Sequence, residues 1–149
     1  PYRNGTGFEG ETNYTSLLTV PIRVMANPDS AVIRFDEVVL VQPGEFGSAF
    51  GDASFNDYVI VEGSADNGLT WKPLLNGYNA LSETEWMAAY NRNLVTDNMG
   101  ERNSATVGLP ALQKRRTIPL LGPRGFRAGD VVLLRFRLFA NRTRFGWGW

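Results

Sequence analysis

The chain has neither cysteine nor histidine among its 149 residues. That removes disulfides, thiolate metal sites, the commonest general base and the nucleophile–histidine pairs of hydrolases. Carboxylates and aromatic rings are what remain for chemistry. Asp36, Glu37, Asp52, Asp57 and Glu62 fall within one third of the sequence, and a glycosidase needs two such groups at a suitable separation. Tyr78, Trp86, Tyr90, Trp147 and Trp149 could stack on sugar faces, though in β-sheet proteins such rings more often fill the core. Trp86 and Tyr90 stand four apart on a helical pattern and are the pair that packing least explains. Arg135 and Arg137 share one face of an alternating run, as an anion clamp or as partners of acidic residues such as Glu62 or Asp36 on a neighbouring strand. No phosphate loop, dinucleotide fingerprint or nucleophile elbow is present.

The elements that would position these groups read as strands. Leu17 to Met25, Ala31 to Gln42, Asp57 to Ser64, Arg116 to Leu121 and Val131 to Ala140 alternate or run apolar between turn signals. Pro21 marks an edge or a bulge. Residues 1–16 are polar and Gly-rich and read as an irregular lead-in, and Thr96 to Lys114 as a long connection. Ser82 to Asn93 reads as one short helix opened by a Ser-x-x-Glu capping box, Ser82 to Glu85. Many short strands and one helix predict an all-β chain: a jelly-roll-like antiparallel β-sandwich over residues 17–149. The size suits one domain. No internal repeat of the kind a propeller needs is visible.

Net charge is zero, yet residues 1–100 hold 13 Asp/Glu against 5 Lys/Arg and residues 101–149 hold 2 against 10. The basic half could serve a polyanion. Because its arginines alternate with apolar residues in strands, the favoured reading is pairing with acidic residues of the other half, with no nucleic-acid partner. No apolar run reaches the length of a membrane helix, so membrane insertion is not expected.

The most specific stretch is Ser64-Ala-Asp-Asn-Gly-Leu-Thr-Trp71, between two strand-like runs. Asp66 is placed to bond backbone N–H groups two residues on, Gly68 to take a positive φ, and Trp71 to cover a sheet face. The string resembles the Asp-box, or BNR hairpin, with Ser64, Asp66, Gly68 and Trp71 as its structural residues. Together with Val131-Val-Leu-Leu-Arg-Phe-Arg-Leu-Phe139 and Gly146-Trp-Gly-Trp149, it resembles jelly-roll modules of reelin-type repeats. It is closer still to modules of large secreted and surface proteins of Bacteroidetes. Phe35 to Gly44 and Phe55 to Ser64 are similar to the matching segments of that group.

The resemblance implies a non-catalytic extracellular or cell-surface module that acts in adhesion, binds a ligand such as a glycan, or serves as a spacer. Its partners would be other domains or subunits of a larger protein, exported in that group by type IX secretion. The alternative is an accessory fragment of a secreted glycoside hydrolase or peptidase whose active site lies outside this chain. The resemblance also implies a structural calcium, for which Glu37, Asp52 and Asp57 are the candidate ligands, and an O-glycosylation motif at Asp29-Ser30-Ala31. In that group an Ala-Ile-Asp-Asn strand follows the Gly-Trp-Gly-Trp string. The sequence given stops before it, so a last strand is expected to be missing and the chain to be a piece of something longer. One Asp-box is too few for a sialidase-type propeller, and such boxes lie away from the active site in those enzymes. The box therefore points to fold and compartment.

Overall fold

The computed structural model describes residues 12–141 and 143–149. The nine principal elements, in chain order, are β1 (Thr12–Arg23), β2 (Val32–Glu37), β3 (Tyr58–Ser64), β4 (Lys72–Pro73), α1 (Thr84–Arg92), β5 (Leu94–Thr96), β6 (Arg102–Ser104), β7 (Lys114–Pro119) and β8 (Val131–Ala140). One sheet has the order β1-β8-β3-β4, a second pairs β2 with β7, and a small hairpin pairs β5 with β6. Every ladder is antiparallel. This is an all-β, sandwich-like fold with one short helix. First strand pairs with last and second with seventh, in different sheets, which is the rolled-up wiring of a jelly roll.

The sheets meet through apolar alternation. Val61, Val132, Leu134 and Phe136 from the larger sheet pack with Ile33, Phe35 and Ile118 from the smaller. Phe35 and Phe136 cross the interface edge to face at 5.3 Å, and the Trp149 ring lies 5.5 Å from Phe136. A second cluster gathers Val38 to Val41, Val59, Tyr78, Trp86, Ala89 and Tyr90, so α1 closes one end of the sandwich. Gly146 must lack a side chain, because a Cβ there would sit 1.9 Å from the Leu40 carbonyl oxygen. This close approach lets Leu40 and Gly148 exchange two backbone hydrogen bonds.

Several expectations shift. β1 begins at Thr12, so Thr12 to Ser16 belong to a strand; residues 1–11 of the expected lead-in lie outside the described residues. An edge strand can be polar on both faces, which hides it from a pattern reading. Its ladder slips between Leu18 and Ile22, around Pro21. The run Ala31 to Gln42 leaves its ladder after Glu37, where β7 begins opposite at Lys114. Val38 to Val41 stay buried without it. The connection after Thr96 contains β6, paired back on β5. The capping box does not form: Ser82 Oγ donates to the Asn79 carbonyl in a preceding 3₁₀ turn, and α1 starts from Glu83 without a side-chain cap.

Candidate functional site

The Ser64–Trp71 loop is tied by its own side chains. Asn67 and Gly68 both take positive φ, at 57° and 87°. Ser64 Oγ donates to Asp66 Oδ1 at 2.6 Å and accepts from the Gly68 N–H at 2.8 Å. Asp66 reaches four residues on, where sequence reasoning put its partners two on. Its Oδ1 accepts from the Thr70 N–H at 2.9 Å and its Oδ2 from the Thr70 hydroxyl. The chain between the paired ends of β3 and β4 is too long for a two-residue turn, so the carboxylate spans the loop instead. The Ser64 and Thr70 hydrogen bonds hold the Asp66 carboxyl down at about 2. Trp71 Nε1 donates to the Gly68 carbonyl at 3.0 Å, and its ring lies 4.4 Å from the Arg135 guanidinium.

This loop forms one wall of an open groove of about 600 Å³. The other wall is the segment from Gly122 to Asp130. Asp66, Trp71, Lys72, Arg127 and Asp130 bring two carboxylates, two cations and an indole to it. Lys72 Nζ donates to the Gly125 carbonyl and stands 4.1 Å from the centre of the Phe126 ring, stitching the two walls together. Asp130 accepts from the Arg127 N–H at 2.8 Å, which closes its turn. Sequence reading marked the Ser64–Trp71 wall as a hairpin turn and left the Gly122–Asp130 wall between two strand runs. Nothing in the sequence indicated that they face each other, because the β3–β8 register sets them side by side.

Arg135 and Arg137 both bond Glu62 on the adjacent strand, with Arg135 Nε at 2.7 Å and Arg137 Nε at 3.0 Å from Glu62 Oε2. The pairing reading therefore holds for these arginines. Burial works against the charged form of Glu62, yet hydrogen bonds from Arg137 and Arg135 win and keep its carboxyl below the usual range. Part of the charge asymmetry is absorbed in the same way: Lys114–Glu85, Arg115–Asp36 and Arg116–Glu37 also join the two halves.

The three candidate calcium ligands each sit in a separate set of hydrogen bonds. Glu37 is buried and holds Arg116 Nε on one oxygen and Tyr78 Oη and Trp149 Nε1 on the other, at 2.6, 2.7 and 2.6 Å. Asp52 accepts from the Ala49 N–H on an exposed loop. Asp57 accepts from the Asn141 N–H at 2.7 Å and the Gln42 N–H at 3.4 Å. Among the described residues no three Asp, Glu, His or Cys side chains converge on a common point suited to a metal ion. Partners that fold the chain hold both oxygens of Glu37 and of Asp57 and one oxygen of Asp52.

The sugar-stacking set is corrected. Trp86, Tyr90 and Tyr78 are 0%, 3% and 8% exposed and belong to the core around α1. Trp86 Nε1 donates to the Leu112 carbonyl at 2.7 Å. Burial and the neighbouring Glu37 carboxylate push the Tyr78 phenol far up, and burial carries Tyr90 to about 12. Four-residue spacing marked a helix face; the structure turns that face inward. Ser30 sits exposed in the turn before β2, its N–H on the Asn27 carbonyl.

Sequence reading named Asp57 as a candidate ligand and missed its burial. Burial lifts its carboxyl from 3.8 to about 7, against the pull of the Asn141 and Gln42 N–H groups. No helix among the described residues is long and apolar enough to cross a membrane. Compared with protein-family models, curated proteins and solved structures, the chain matches none.

Proposed function

We propose that this chain is a non-catalytic module of a larger secreted or cell-surface protein, and that it binds a glycan in the groove beside the Ser64–Trp71 loop. One observation carries the reading: charged groups of both signs and an indole line one open groove. A polyol ligand asks for that mixture, with donors and acceptors for its hydroxyls and an apolar ring face for its carbons. The buried carboxylates also support it, because Glu37, Glu62 and Asp57 each hold fold-making partners. The Asp-box resemblance supports the extracellular setting.

The test is a glycan array probed with the intact protein, followed by calorimetric titration of the hits. Arg127→Ala, an exposed groove residue, should weaken a true hit at least about tenfold with the fold unchanged. An array without hits, or hits indifferent to Arg127→Ala and Lys72→Ala, would sink the groove reading and leave a structural spacer.

A further inference from the structure

The cations of this chain fall into two sets. Among the described residues, Lys114, Arg115, Arg116, Arg135, Arg137 and Arg144 each hold a carboxylate in an ion pair. The other described Lys and Arg side chains form no ion pair with a described carboxylate. Arg34, Arg92 and Arg102 belong to this second set, and its remaining members, Arg23, Lys72, Arg124 and Arg127, gather at the groove beside Trp71. Lys72 and Arg127 line it, and Arg124 belongs to its Gly122–Asp130 wall. Arg23 donates to the Gly129 carbonyl of that wall at 3.0 Å. The hydrogen bonds of three of them go to neutral oxygens: Arg23 to Gly129, Lys72 to the Gly125 carbonyl, and Arg124 to the Asn76 side-chain carbonyl at 2.7 Å. Arg127 is exposed, and its guanidinium bonds no described residue. The two carboxylates of the groove are engaged elsewhere. Asp66 has both oxygens on its own loop, and Asp130 Oδ2 accepts the Arg127 backbone N–H. Positive charge is therefore in excess at the groove among the described residues. The undescribed positions adjoin Thr12 and Asn141, at the Ala140 end of β8, while the groove adjoins its Val131 end, about 30 Å away.

We propose that the ligand of this groove is an acidic glycan, a sugar chain whose carboxylate or sulfate groups are spaced among free hydroxyls. The inference rests on the groove being the glycan site and adds the charge of its ligand. An anionic group on the sugar gives the Arg127 guanidinium the planar, two-pronged partner that the fold does not supply. Cations that are not neutralised within a cleft also draw such a ligand in from solution. Hydroxyls between the charges can donate to Asp66 and to Asp130 Oδ1, and a ring face can lie against Trp71. A nucleic acid suits the groove less well, because a phosphate at every step would set negative charge against both carboxylates.

An array of acidic glycans, each printed beside its carboxyl-reduced or desulfated counterpart, tests this with the intact protein. The expected result is at least one acidic glycan that binds, with its neutral counterpart at least about tenfold weaker. The carboxylate and sulfate pairs separate the two sources of charge. Arg127→Ala and Arg124→Ala should each weaken that hit, and so should added salt. Arg92→Ala removes the same charge from α1, outside the groove, and should leave binding unchanged. All three arginines are exposed, so the variants keep the fold. Neutral glycans that bind as tightly as acidic ones, and are weakened by Arg127→Ala, would overturn the acidic ligand and leave the groove reading in place. An array without hits would remove both. Acidic hits weakened equally by Arg92→Ala would reduce the effect to general charge attraction. Tighter binding of single-stranded DNA than of any acidic glycan would make the groove a polyanion site. Either outcome overturns the proposal.

Discussion

Raising the pH from about 4.5 to about 8.5 should destabilise this protein, and Asp57 is the reason. Its carboxyl is buried at the start of β3, between Gln42 and the residue that leaves β8. Desolvation outweighs its two backbone hydrogen bonds and lifts it from 3.8 to about 7. The folded state therefore holds a proton that the unfolded chain releases above about pH 4. Stability is fully present below that point, declines as pH rises toward 7, and is level beyond it. Each pH unit in that window weighs about 1.4 kcal/mol, so the fall is roughly 4 kcal/mol, a large part of a small domain's total. The chain has no histidine, so no imidazole titrates in the same window. Asp57→Asn keeps the shape and the bond to the Asn141 N–H but turns an NH₂ toward the Gln42 N–H, at a cost of about 1–2 kcal/mol. Urea unfolding followed by tryptophan fluorescence should show wild type more stable near pH 5 and Asp57→Asn more stable near pH 8. Two curves that run parallel, with no crossing, would refute the reasoning.

Three further outcomes follow from the packing and hydrogen bonding. Glu62→Ala strands Arg135 and Arg137 on a mostly covered sheet face and should cost about 2–4 kcal/mol in urea unfolding; Glu62→Gln should cost less. Trp86→Ala empties the most deeply buried large site and removes the donor to Leu112, for a loss of about 3–5 kcal/mol. Asp66→Ala releases the Thr70 N–H and hydroxyl, so hydrogen exchange should speed up at Thr70 and Gly68 while core amides in β3 and β8 stay protected.

Alternation made β8 legible to its end residues, Val131 and Ala140, because one face is apolar and the other carries Arg135 and Arg137. It failed at Thr12 to Ser16, where an edge strand faces mostly water and has no apolar face to announce it. It also overran at Val38 to Val41, an apolar stretch that is buried and pairs only through the single Leu40–Gly148 bridge among the described residues. The capping box was misplaced for a related reason: Ser82 satisfies the preceding turn, and a four-residue motif cannot say which neighbour wins.

By itself the sequence determined the all-β class, the turn at Ser64 to Trp71 and the partnership of opposite charges. Each depends on local backbone preference or on the period of a single strand. Only the tertiary structure decided the fate of the chemistry-bearing residues. Glu37, Asp52 and Asp57 share a charge type but take separate partners, and Trp86 and Tyr90 share a helix face that turns inward. The groove beside Trp71 exists because strand register places the Gly122–Asp130 segment against the Ser64–Trp71 loop. Burial and long-range neighbours set what a carboxylate or an indole can do, and both are properties of the packed chain.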